Sequence, residues 1–117
     1  MKINSRSKGK RGELRAVHWL REHIWPGAHR SASQGAGGDV APDVDGTTLW
    51  IEVKSGANPH VWKAVEQAIE DAAGRRPPVV IAYRTHGRAV MVIPLDTLVD
   101  TIVKLYDMIT EFCGGEK

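Results

Sequence analysis

Pro42-Asp43-Val44 and Glu52-Val53-Lys54 bring two carboxylates and a lysine into a short stretch, with eight residues between Asp43 and Glu52. Two carboxylates supply hard oxygen ligands of the kind Mg²⁺ prefers. A metal held there polarises a phosphate ester and lowers the pKa of a bound water. The lysine adds positive charge where negative charge builds in the transition state. Together these residue types suit the hydrolysis of a phosphodiester. Glu-X-Lys alone is common in exposed strands, where it forms an ion pair worth little. Its weight here comes from context: it follows Pro-Asp, a glycine-rich loop lies before it, and a helix pattern comes after it.

Those residues need elements to position them. Leu49, Ile51 and Val53 alternate with Trp50, Glu52 and Lys54, the period of a strand. Glu52 and Lys54 then share a face, while Val53 faces the other way with its backbone carbonyl near the metal. Asp45-Gly46-Thr47 is a turn sequence. It predicts a hairpin that folds the strand carrying Asp43 back along the strand carrying Glu52. A first helix is expected over residues 8–24, because Glu13, Val17, Leu20 and Ile24 form one stripe. Glu13 ends an apolar face, where a carboxylate needs a partner. Either a shared site or an ion pair with Arg11 or Arg15 meets that need.

Pro26-Gly27 closes this helix, and a short strand follows near Ala28–Ser33. Gln34–Asp39 reads as a flexible loop around Gly35, Gly37 and Gly38. It is not a nucleotide loop, since no Lys-Ser/Thr follows and no helix opens there. A second helix is expected from Asn58-Pro59 to Gly74, burying Val61, Val65, Ala68, Ile69 and Ala72. Val79–Tyr83 and Ala89–Ile93 form a second hairpin across His86-Gly87. A last helix runs from Pro94 or Leu95 to Phe112. Its Leu98, Val99, Ile102, Val103, Leu105, Tyr106, Ile109 and Phe112 exceed one stripe, so two buried faces are expected: this helix (95–112) is a candidate subunit interface, and a helix wedged into a small core has the same pattern. The order α-β-β-β-α-β-β-α predicts an α/β domain with a mixed five-stranded sheet flanked by helices.

Composition narrows the classes. A chain of 117 residues suits one domain, 1–117. No run of about 18 apolar residues exists, so no membrane partner is expected. The basic N-terminus lacks the apolar core of a secretory signal. The sole cysteine, Cys113, cannot form an internal disulfide, and a cytoplasmic home is expected. Net charge is +2, yet residues 1–30 carry +6 and the remainder −4. A basic end of this kind, with a tail over 1–8, suits contact with a polyanion; a merely solvated tail has the same composition. His18 and His23 lie about 140° apart around a helix and cannot chelate one zinc ion. No nucleophile elbow or P-loop is present.

With these pieces in place the chain resembles the PD-(D/E)XK nuclease superfamily. Within it, the chain looks most like the small Holliday-junction resolvases of archaea and their phage-encoded relatives. The resemblance rests on Lys8-Gly9 followed by Glu13, on Arg30-Ser31-Ala32-Ser33, on Pro42-Asp43-Val44, and on Trp50-Ile51-Glu52-Val53-Lys54-Ser55. It spans roughly residues 7–70 in the family's order.

The resemblance implies a restriction-endonuclease-like fold and a catalytic set of Glu13, Asp43, Glu52 and Lys54. Asp43 and Glu52 would bind Mg²⁺, for which Mn²⁺ can substitute, with help from the Val53 carbonyl. Glu13 would join the ion directly or through water. Asp39, in a Gly-Asp-Val arrangement, is the alternative ligand to Asp43. Lys54 would orient the attacking water or stabilise the transition state. Arg30, Ser31 and Ser33 would hold the DNA backbone, alongside Lys8, Lys10 and Arg11 near the start of the helix. The implied partners are a four-way DNA junction and a second copy of the chain, in the cytoplasm of a prokaryotic or phage-infected cell. A nuclease of the same superfamily acting on flaps, nicks or duplex fits the same residues. So does a DNA-binding relative that has lost catalysis.

Overall fold

The computed structural model describes residues 5–31 and 40–113, with side chains for 9–31 and 40–111. Helix α1 (Ser5–His23) is followed by three strands: β1 (His29–Arg30), β2 (Val44–Asp45) and β3 (Trp50–Gly56). Helix α2 (Val61–Ala72) leads to β4 (Pro78–Arg84) and β5 (Ala89–Val92). A 3₁₀ turn over Leu95–Thr97 then opens α3 (Leu98–Cys113). The five strands form one mixed sheet in the order β1-β2-β3-β4-β5. Only β3 and β4 run parallel, from Trp50↔Pro78 to Gly56↔Arg84, and α2 is the crossover that a parallel pair requires.

The alternation in β3 sorts its side chains onto two faces. Leu49, Ile51 and Val53 face α1 and share a core with Val17, Leu20, Val79, Ile81 and Tyr83. Trp50 faces α2 and packs with Ala64, Val65, Ala68, Ala72 and Val80. The sheet is thus covered on both sides, as expected for a strand central to an α/β domain.

Several boundaries differ from the sequence reading. α1 begins at Ser5, so part of the expected basic tail is helical. No breaker stands before Gly9, and Lys and Arg extend a nucleated helix at little cost. β1 spans two residues, and α2 starts at Val61, past Asn58-Pro59. Ile69, expected in the core, is exposed on α2. The first hairpin is looser than a tight Asp45-Gly46-Thr47 turn. Val44 pairs with Ile51, and the chain bends over residues 46–49. Gly46 is required there: its φ is +80°, and a Cβ would lie 2.2 Å from the Gly27 carbonyl oxygen. Arg76 braces this bend through Asp45 and the Thr47 and Leu49 carbonyls.

On α3, Thr101 is fully buried, and Leu105 and Met108 pack against the α1-side core. Val99, Ile102, Val103, Tyr106 and Ile109 remain exposed. One side of the helix therefore meets the domain, not two.

Candidate active site

Asp43 immediately precedes β2 and is buried. Its backbone joins the sheet on both sides, donating to the Ile51 carbonyl at 2.9 Å and accepting from the Ser31 N–H at 3.2 Å. Its side chain crosses to β3, where Oδ2 accepts the Val53 N–H at 2.8 Å. The carboxylate thereby takes the place of a backbone rung and is fixed against the strand that carries Glu52.

Glu52 and Lys54 lie on the α2 side of β3, two residues apart as the alternation predicts. Glu52 is half-buried and Lys54 exposed. The Trp50 indole N–H donates to Glu52 Oε2 at 3.0 Å. Glu52 is also in hydrogen-bond contact with Asp43. Burial, then the Asp43 charge and that contact, push its pKa up to about 8.

Glu13 reaches the same place from α1. It too is in hydrogen-bond contact with Asp43, and its side chain is 13% exposed. Its partner is Arg30, not Arg11 or Arg15: Arg30 Nε donates to Glu13 Oε1 at 2.8 Å. Burial raises the Glu13 pKa, the Arg30 bond opposes the rise, and the Asp43 charge adds to it. Arg30, expected on DNA phosphate, is thus engaged by a site carboxylate.

Gly12 brings α1 this close. A Cβ there would sit 2.7 Å from Ser55 Oγ and 3.2 Å from Ser55 Cβ. A helix glycine is unfavourable unless something needs the room, and β3 passing beneath α1 needs it. Sequence reading missed Gly12, although an isolated glycine inside a helical stripe, next to Glu13, was its signal. It also missed the Trp50–Glu52 bond, which the shared face of these two residues allowed.

Of the expected site residues, Glu13, Asp43 and Glu52 come together, and Lys54 follows Glu52 on the same face. Ser31 is buried beside Asp43. Lys10 and Arg11 are exposed on the first turns of α1. Ser33, Asp39 and the Lys8 side chain lie outside the described residues, so Asp43 is the ligand candidate whose surroundings can be given.

Among the described residues, no three His, Cys, Asp or Glu side chains form a ready metal cage. The carboxylate contacts are pairwise, Glu13 to Asp43 and Asp43 to Glu52. The pairwise arrangement is the relevant one for Mg²⁺, which takes one or two carboxylates and fills its other positions with water and phosphate oxygens. The donors are all oxygen, and two carboxylates pressed together hold a proton that a divalent cation would displace. The donor set therefore fits magnesium. Comparison with protein-family models, with curated proteins and with solved structures finds no match for this chain. Among the described residues, no helix is long and apolar enough to cross a membrane.

Proposed function

We propose that this chain is a Mg²⁺-dependent DNA endonuclease of restriction-endonuclease-like architecture, acting on four-way junctions as a resolvase. The observation that carries the reading is the meeting of Glu13, Asp43 and Glu52 from three separate segments, with Lys54 two residues beyond Glu52. Asp43 and Glu52 would hold Mg²⁺, with Glu13 beside them. When bound, the ion supplies positive charge to the scissile phosphate and acidifies water. The Val53 N–H fixes Asp43 and the Trp50 indole N–H fixes Glu52, so both carboxylates are oriented in advance. Arg30 holds Glu13 and offsets part of the local negative charge. Lys54 would add its charge on the reacting phosphate as negative charge develops.

Lys10 and Arg11, on the helix that carries Glu13, would contact phosphates near the cut. Such contacts position DNA without reading its sequence. A junction has two strands to cut symmetrically, and a twofold dimer presents two sites to match. The exposed apolar residues of α3 support pairing through that helix.

The test is cleavage of synthetic four-way, flap and linear DNA with Mg²⁺ or with EDTA. Paired cuts in the junction that need Mg²⁺, and that vanish in Asp43→Asn and Glu52→Gln, are the expected result. Equal cutting of flaps or linear duplex would favour the general nuclease. Metal-independent binding with no cleavage of any substrate would leave a DNA-binding protein.

A further inference from the structure

A second feature lies on the other side of Gly12. A cleft of about 430 Å³ opens between α1 and the turn that joins β4 to β5. Arg11, Arg15 and His18 line it from α1, Arg84 from the end of β4 and His86 from the turn. Ser55, next to Lys54, forms part of its floor. Among the described residues no carboxylate lines it. Among the described residues the ion pairs are Arg30–Glu13 and Arg76–Asp45, so the three arginines of the cleft have no acidic partner there. Three arginines lining one concavity raise its positive potential and favour an anion there.

The cleft is also built. The Arg15 guanidinium lies over the Tyr83 ring, 4.2 Å from its centroid, which holds the charge in one place. The turn is tied to the end of β3 by the Thr85 N–H, which donates to the Gly56 carbonyl at 2.8 Å. His86 adopts φ +58°, a left-handed conformation uncommon for a non-glycine residue. Strain of this kind persists where surrounding contacts enforce it. Both walls and the floor are therefore held relative to β3.

We propose that this cleft is a phosphodiester-binding channel that grips the DNA backbone on the side of the cut beyond Lys54. The identity of the polymer rests on the nuclease reading; the anion site does not. Arginine suits the task because its planar fork grips phosphate oxygens, and the run of cations from Arg11 to Arg84 matches the repeated charge of a strand better than one isolated phosphate.

The experiment is the salt dependence of binding of a fluorescent four-way junction in EDTA, measured by anisotropy. Each phosphate contact contributes about 0.9 to the slope of log K against log salt. Arg84 is exposed at the end of β4, so its replacement leaves the core untouched. Arg84→Ala should lower the slope by about 0.9, Arg84→Glu should lower it further, and Arg84→Lys should keep it. The control is Lys104→Ala on α3, which should keep the wild-type slope. An unchanged slope in Arg84→Ala, or an equal fall in Lys104→Ala, would overturn the channel. Binding of inorganic phosphate that Arg84→Ala weakens, together with an unchanged junction slope in that variant, would make free phosphate the occupant in place of DNA. A wild-type protein that binds with the expected slopes but never cuts with Mg²⁺ would instead refute the nuclease reading and leave the channel standing.

Discussion

Glu52→Gln should make the metal-free protein more stable at pH 8 while abolishing any Mg²⁺-dependent cleavage. The sign follows from the raised pKa. Burial pushes folded Glu52 up to about 8 from the 4.5 of an ordinary glutamate, so between these values the folded chain binds a proton that the unfolded chain has lost. Stability then falls as pH rises. The contribution is fully present below about pH 4.5 and is lost by about pH 8. One pKa unit corresponds to about 1.36 kcal/mol, so the shift sets a ceiling of roughly 5 kcal/mol. Glu52 keeps some solvent exposure, and screening reduces this to about 2–3 kcal/mol.

The glutamine is nearly isosteric and still accepts the Trp50 indole N–H, so it removes the charge and little else. Urea unfolding followed by tryptophan fluorescence in EDTA, from pH 5 to 8, measures the difference. The wild type should weaken by about 2–3 kcal/mol over that range, with the variant nearly flat. Millimolar Mg²⁺ at pH 8 should restore the wild type and leave the variant unchanged, because a ligand that binds only the folded state stabilises it. Parallel pH profiles for the two proteins would refute the burial of Glu52 beside Asp43 on which this reasoning depends.

Lys54→Ala should keep junction binding within a few-fold and slow single-turnover cleavage by orders of magnitude, since its charge acts mainly in the transition state; a normal rate would reduce Lys54 to a surface lysine. Gly12→Val should press on Ser55 and cost about 1–3 kcal/mol, read as a fall in the urea midpoint; wild-type stability would mean that α1 does not depend on this close approach. Tyr106→Asp or Ile109→Asp should yield monomers by sedimentation that nick a junction without paired incision. A wild-type chain that stays monomeric at micromolar concentration and binds a junction as one subunit would end the dimer proposal.

Much of the arrangement was legible because it depends on short-range pattern. The alternation from Leu49 to Lys54 gave β3 its two faces and put Glu52 and Lys54 together, and a turn after Val44 brought Asp43 back to Glu52. Features set by the docking of distant segments were not legible. Arg30 meets Glu13 across 17 positions, which depends on how α1 settles on the sheet. Ile69 fits a helical stripe, yet it faces water because the small Ala64, Ala68 and Ala72 draw a different line of α2 onto Trp50. The width of the apolar set on α3 predicted two buried faces, but periodicity cannot say whether a second face is covered within the same chain. The basic cleft joins α1 to a turn about 70 residues away in sequence, a distance over which local periodicity carries no information.

Asp43 spends one carboxylate oxygen on the Val53 N–H, so the cluster and the pairing of the two-residue strand β2 are a single event. β2 contributes few backbone bonds, and part of what seats it is the group that would serve the chemistry. A chain still folding, with β2 undocked, has Glu52 on its strand and Glu13 on its helix but no Asp43 between them. Under the proposed nuclease function, such an intermediate would be unable to cut nucleic acid even with its basic residues bound to it. Acquisition of activity during refolding would then report the closing of one specific strand pair, and it should lag behind the fluorescence change that marks burial of Trp50.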